Sequence, residues 1–250
     1  MAYSATVAAT VRELITQFGH ATLRFTDADI DATNFTAFDG AHPQFVGAYL
    51  HNGENVFATA QELAASIGAE LVMSRAGLLQ LIQIALPATG EAVPIGPDDM
   101  LENTLAVQYR TEVIAAKVIG YCRNWTVQKD LQTGIAASSV ELFASEYLTS
   151  TAAAATVKTS HRLTAAPAQE NTLLLTEADA VAEAARRLAL YSVQRTVFSF
   201  EGLPHLLTLK LGQPVTLTNY RFGLAAGKPG MVVSLQPDWI TARVKIGVLT

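Results

Sequence analysis

Apolar residues recur along this chain in two periods, and the change from one to the other divides it. Val7, Val11, Leu14 and Phe18 fall at i, i+4, i+7 and i+11, one face of a helix over about Thr6 to Phe18. Ser4 or Thr6 can cap its start, and Gly19 supplies a left-handed stop. Val56, Ala60, Leu63 and Ile67 repeat that grammar before Gly68, predicting a second helix over about Asn55 to Ile67. Both helices end on similar words, ELITQFG and ELAASIG, which read as shared helix-stop chemistry rather than as a duplication. Two apolar stretches, Glu70 to Ser74 and Leu78 to Leu86, flank Arg75-Ala76-Gly77 and predict a hairpin.

Between Pro87 and Met100 the chain is rich in proline and glycine, so a domain boundary is expected there. Beyond it, Thr104 to Tyr109 and Val113 to Arg123 read as a long antiparallel pair. A polar helix is expected over about Ser138 to Tyr147. The Ala/Thr/Ser tract from Thr149 to Ser160 reads as an exposed strand or a linker. Thr176, three residues before Asp179, caps a third helix over 176–192. Ala178, Val181, Ala185 and Leu188 would be its apolar stripe, with Glu177, Glu183, Arg186 and Arg187 mostly facing away.

After Val193 the period becomes two. Leu207, Leu209 and Leu211, then Val215 and Leu217, then Val244, Ile246 and Val248 alternate with polar residues or glycine, as half-buried antiparallel strands do. The expected fold class is therefore α+β: a small α/β part over 1–100, and an antiparallel, barrel-like β part over 101–250 carrying the helix 176–192.

Composition adds constraints. Charged residues are 16% of the chain, against about 25% in an average domain, which fits surface buried against partners. A net charge of −5 without a Lys/Arg cluster argues against specific nucleic-acid binding. Cys122, the single cysteine, excludes an internal disulfide and reads as a plain buried or half-buried thiol. No apolar run reaches the roughly 18 residues of a membrane span, and the N-terminus lacks the basic start of a signal peptide. A soluble chain made in a cytoplasm is expected.

Candidate chemistry is sparse. Gly223 to Gly230 has the glycines and Lys228 of a phosphate loop, but one residue too few between Gly223 and Gly227. Pro229 stands where a hydroxyl is needed, and strands flank the loop where a helix should follow. Asp27, Asp29 and Asp31 alternate as in a calcium loop, yet Ala32 and Phe38 occupy the positions that require Gly and Glu. A turn and a helix cap explain them better. His20, His42, His51, His161 and His205 show no metal-ligand spacing. Asp98-Asp99 and Glu141/Glu146 could be nominated as a hydrolytic carboxylate pair, and Trp125 and Trp239 as stacking platforms; solvated acids and core or interface rings are the plainer readings. No catalytic, cofactor-binding or metal-binding residue is assigned, no cofactor is expected, and the chain is expected not to be an enzyme.

The run ENTLLLTEADAVAEAARRLALYSVQRTVFSF, with LTLKLGQPVTLTNYRFGLAAGKPGMVVSLQPDWITARVKIGVL after it, resembles the tail hub or tail-tip proteins of tailed bacteriophages. Relatives of these include the baseplate hubs of contractile tails and the hubs of gene transfer agents. The matching features are the helix ending in Arg186-Arg187, the strand with Arg195, the phrase L-x-L-G-x-x-V-x-L at Leu209 to Leu217, the glycine-rich turn into Val232-Val233, and a last strand of alternating valines. The earlier part, with a helix, an Asp/Phe segment, a Val46-Gly47-Ala48-Tyr49 strand and a helix before a hairpin, is similar to the middle of such hubs. The likeness covers most of the chain, most firmly Asn171 to Leu249. Family members usually carry a further N-terminal β-rich domain, whereas this sequence opens on a helix.

What the resemblance implies is mechanical: a trimer closing the end of the tail tube, through or behind which the genome lies, and contacts with the tail tube or distal tail protein, the tape measure, and tip or fibre proteins. The location implied is the tail tip of a virion made in a host cytoplasm. A receptor- or carbohydrate-binding adhesin module, using Trp125 or Trp239, is the alternative, and a cell-wall hydrolase the third.

Overall fold

The computed structural model describes residues 5–50, 53, 55–88 and 90–250, with the side chains of all of these but 137 and 138. The fold class is α+β, as expected. The chain divides into two units, each built from two stretches: 1–82 with 114–189, and 83–113 with 190–250. This differs from the expected cut at residue 100. The chain first passes between the units at 82/83, just before the proline-rich stretch, part of which is a strand of the second unit, and most of the helix 176–192 goes with the first.

The first unit begins with α1 (Val7–Gln17), whose Thr6 cap accepts a hydrogen bond from the Ala9 amide and whose Val7, Val11, Leu14 and Ile15 are buried. Asp31 caps α2 (Ala32–Ala41), which buries Phe35 and Phe38 and which the sequence reading did not separate from its surroundings. Asn55 caps α3 (Val56–Ala65), and a hairpin follows, β1 (Ala69–Met73) and β2 (Leu79–Gln83).

A lone hairpin is marginal in water. Here side-chain amides stand in for missing neighbouring strands. Gln61 brackets Leu71 of β1, donating to its carbonyl at 2.7 Å and accepting from its amide at 3.2 Å. Asn34 does the same for Leu81 of β2, at 3.1 and 2.7 Å.

The rest of this unit comprises a three-stranded sheet, α4 (Ala137–Ala144), α5 (Ala155–Ser160) and α6 (Glu177–Tyr191). The sheet runs β6 (Leu148–Ala153), β5 (Ala116–Tyr121), β7 (Gln169–Asn171). The Ala/Thr/Ser tract is thus half strand, half helix. Val46 makes only an isolated bridge to Leu174, so the strand expected at Val46 to Tyr49 is absent as such.

The expected orientation of α6 is wrong by part of a turn. Ala178, Val181 and Ala185 are exposed; Ala180, Glu183, Ala184, Arg187 and Leu188 are buried. The charged residues go inward because they have work there. The last carbonyls of a helix lack partners. Arg187 donates to Ala65 and Ser66 oxygens at 2.7 and 3.2 Å, and Arg186 to that of Ile67 at 3.3 Å, at the end of α3. Glu183 holds both guanidiniums, Glu170 bonds Arg187, and Lys117 joins Glu170. Gly68 is required beside them. Its φ is +67°, and a Cβ there would run into the Arg186 guanidinium.

The second unit is one six-stranded sheet in the order β3 (Val93–Ile95), β9 (Pro214–Leu217), β10 (Lys228–Asp238), β11 (Arg243–Leu249), β8 (Thr196–Gly202), β4 (Ala106–Arg110). It is antiparallel except where β3 meets β9, and it forms no closed barrel. Register follows the alternation read from the sequence: Ile246 faces Phe200 and Val248 faces Phe198, all buried. Two expectations fail. β4 and β5 do not pair but belong to different units. Leu207 to Leu211 is not a strand: Pro204, suited to a helix start, opens a 3-10 turn over Pro204–Thr208, burying Leu206 and Leu209.

Removing one member of a buried ion pair strands its partner in low dielectric. Glu183→Ala is expected to lower the unfolding free energy by about 3 kcal/mol, and the exposed Glu177→Ala by less than about 1 kcal/mol, as read by urea denaturation.

Candidate assembly surfaces

Several of the residues with nominated chemistry are occupied locally. Asp27 pairs with Arg12 at 2.9 Å, and Asp29 closes a capping box with Thr26 through bonds of 2.8 Å to its amide and 2.7 Å to its hydroxyl. Asp31 accepts from the Asn34 amide at 3.0 Å as the cap of α2. The turn-and-cap reading of this trio therefore matches where the side chains go. Among the described residues no group of three His, Cys, Asp or Glu could hold a metal ion.

His20 contacts Thr22, His205 sits 3.0 Å from Asp99, and His161 is exposed. His51 lies outside the described residues. His42 is half-buried against Phe38, with ring centroids 4.3 Å apart. Burial, then the Arg186 charge, pulls its pKa below the ordinary histidine value. Asp99 also accepts from the Gly96 amide at 2.7 Å. Glu146 pairs with Arg123 at 3.2 Å, while Glu141 is exposed on α4. Asp98-Asp99 and Glu141/Glu146 fall in different units. Cys122 is half-buried, with its backbone amide on the Leu174 carbonyl at 2.8 Å.

The Gly223 to Gly230 segment joins β9 to β10. Gly223 and Gly227 have φ of +72° and +76°, and Lys228 already pairs with Leu217 as the first residue of β10. No helix N-terminus follows, and the Leu224 and Gly227 amides donate within the turn, to the Arg221 and Leu224 carbonyls at 3.2 and 3.0 Å.

What the surface offers is apolar. The β10–β11 tip presents Trp239 at 68% and Ile240 at 97% exposure. Its shape is fixed by Asp238, which accepts from the Ile240 amide at 2.9 Å, the Thr241 amide at 3.3 Å and the Thr241 hydroxyl at 2.7 Å. Those bonds hold the Asp238 carboxyl below its usual pKa. The end strands β3 and β4 have neighbours on one side only, and Tyr109 of β4 is exposed.

In the first unit, Trp125 lies beneath the Arg123 guanidinium at 3.9 Å and 6.1 Å from Tyr49. From 122 to 150 no described side chain is buried, although this stretch holds Val127, Ile135, Val140, Leu142 and Phe143. Between α1 and α2 lies an open cleft of about 200 Å³ with Ala8, Ala9, Ile30 and Phe35 in its walls and Arg12, Asp27 and Asp39 beside them. Sequence reasoning named the two tryptophans and the helix of this stretch, expected over about Ser138 to Tyr147 and found at Ala137–Ala144, but not its exposed apolar residues. Its apolar residues follow neither period, and that was the available signal.

By sequence, no known family matches the chain and no curated protein matches it. By fold, it aligns over 98% of its length with a chain of the virion of a native gene transfer agent particle, at TM-score 0.61 and 16% identity. It spans 47% of that chain, so about half of the neighbour's length has no counterpart here. A tail protein from Neisseria meningitidis MC58 aligns at TM-score 0.46 and 9% identity, over 98% of this chain and 66% of its own. The 43 kDa tail protein of prophage MuSo2 from Shewanella oneidensis aligns at 0.42 and 13%, over 80% and 55%.

Two outcomes follow. A folded-state histidine pKa below the unfolded value means the folded state favours the neutral ring. His42 thus contributes stability above about pH 6.5 that is lost as pH falls through its lowered folded value. His42→Leu should flatten the melting temperature across that acidic range. Lys228→Ala should alter stability by no more than about 0.5 kcal/mol and leave nucleotide binding, measured by calorimetry, at background.

Proposed function

We propose that this chain is a structural component of a phage-type tail, a hub-like ring subunit at or near the tail tip. The observation that carries this reading is the fold shared along 98% of the chain with a gene transfer agent virion protein. Physical features support it. A sheet with two open end strands can be continued by neighbouring subunits, whose pairing would satisfy the free backbone groups. Exposed rings and aliphatics such as Trp239, Ile240 and Tyr220 suit burial against other proteins. A net charge of −5 suits a ring through which DNA slides without adhering.

In this reading the partners are further copies of the chain, most simply three, with the tail tube or distal tail protein, the tape measure and tip proteins around them. The chain acts in the virion and has no catalytic step. Subunits in such a ring meet through unlike faces, so a fixed rotation between neighbours sets the copy number.

The adhesin reading has one observation in its favour, the exposed Trp239 on a turn that Asp238 fixes. Imaging of assembled tails separates the two. Three copies around an axial channel are expected; a copy outside the tube, without ring contacts and with glycan affinity, would replace the hub reading by the adhesin. Purified protein should release no product from peptidoglycan above background. Turnover that disappears in Asp98→Asn or Glu141→Gln would refute the structural reading altogether.

A further inference from the structure

Just after β9, the second unit holds a buried hydrogen-bond donor with no oxygen to bond. Asn219 is 6% exposed. Its Oδ1 accepts from the Arg221 amide at 3.0 Å, but among the described residues its Nδ2 meets only the Met100 Sδ, at 4.0 Å. An amide nitrogen carries two N–H groups, and a thioether is a weak acceptor. Buried donors in folded proteins nearly always have a better partner, so an acceptor brought to this one is bound without displacing a bond of equal strength.

Asn219 and Met100 both line a pocket of about 120 Å³. One side is the loop 219–221 and the other the segment 100–105. Both are fixed. Met100 bridges to Gly202, the Leu101 amide bonds the Glu201 oxygen at 2.8 Å, and the Asn219 amide bonds the Leu224 oxygen at 3.3 Å. The pocket is therefore formed before anything enters it, and little order is lost on binding.

Its volume admits a chemical group rather than a whole molecule, since small-molecule sites run from about 300 to 1,000 Å³. The walls select the group. Met100 and Leu105 are buried and apolar, and Asn219 offers its donor. Glu102 and Arg221 are exposed and opposite in charge, with Arg221 also lying over the Phe222 ring at 4.9 Å. A carboxylate drawn to Arg221 would meet Glu102, and an ammonium drawn to Glu102 would meet Arg221. A neutral acetamido group suits every wall: its carbonyl takes the Asn219 donor, its N–H faces Glu102, and its methyl rests on Met100 and Leu105.

Tyr220 decides what carries that group. Its ring lines the pocket and is 79% exposed, a flat apolar surface against which the C–H face of a sugar ring stacks. An acetylated lysine would bring the same acetamido group on a thin stem that leaves the ring uncovered. Tyr220 is thereby set apart from Trp239 and Ile240, which do not line this pocket.

We propose that this pocket binds the N-acetyl group of an amino sugar, and that the chain contacts glycans containing N-acetylhexosamine there. The site does not rest on the tail reading, and sugar binding leaves the number of copies around the axis as the measure of that reading.

The test titrates the full chain, labelled at its methionine methyls, with N-acetylglucosamine and follows the signals by NMR. The Met100 signal should move and saturate while those of Met73 and Met231 stay in place. N-acetylglucosamine should bind about tenfold more tightly than glucose, glucosamine or acetate, the worth of one well-placed hydrogen bond. Tyr220→Ala changes an exposed ring and should weaken binding about fivefold at an unchanged melting temperature. Asn219→Asp keeps the acceptor for the Arg221 amide but removes the donor, and should abolish binding; where that variant melts early, Tyr220→Ala decides. A Met100 signal that does not saturate, glucose or acetate binding as well as the acetylated sugar, N-acetyl-lysine binding more tightly than it, or unchanged affinity in Tyr220→Ala would each overturn the proposal.

Discussion

The first unit depends on how α3 ends. Its terminal carbonyls must find donors, and the donors are two arginines on α6, more than a hundred residues later in the chain. Arginine suits the task because its planar fork can bond a carboxylate and backbone oxygens at once. Glu183 is the necessary counterpart: burial pushes its carboxyl upward in pKa, against the bonds and charge of Arg186. The neighbouring strand segment is fixed to the same place. Ser66 accepts from the Leu173 amide at 2.9 Å, and Thr172 bonds the Gly120 oxygen at 2.7 Å. One cluster thereby locates α3, α6, β5 and β7 together.

That cluster also marks the boundary of what the sequence could say. Helix starts were legible because capping is local: Thr6, Asn55 and Thr176 each act within three residues. The strands of the second unit were legible because Val244, Ile246 and Val248 alternate on a sheet with one face in the core. The buried face of α6 was not, since alanine fits either side and the residues that decide the matter are charged. Their partners lie in α3 and β7, at a distance no periodicity can reveal. Leu207, Leu209 and Leu211 misled for the opposite reason: a perfect alternation was overridden by the 3-10 turn that Pro204 begins. The proline-rich stretch was read as a separator, yet β3 within it, Pro94 included, is a sheet edge, where a missing N–H is tolerated.

On function, Asp27, Asp29 and Asp31 were legible as turn and cap residues, and the structure gives Asp99 and Glu146 local partners as well. What could not be read was the surface. Exposure of Trp239 and Ile240 depends on a turn whose geometry Asp238 sets, and the partial exposure of α4 depends on what packs over it. Both are properties of folded neighbours. At 16% identity to the virion chain with which it shares a fold, little of the sequence is held in common.

The strand order of the second unit bears on how its sheet closes. β11 is later in the chain than the other five strands of its sheet, yet it lies between β10 and β8. As the sheet forms, β3, β9 and β10 can associate on one side and β4 with β8 on the other, but only Arg243–Leu249 joins the two sides. Until it does, each half presents a bare ladder edge to whatever protein is nearby. The sheet therefore closes only when this one strand is seated, and the interval before that is when the chain is most open to pairing with a wrong neighbour, and when a chaperone or an early partner has most to protect.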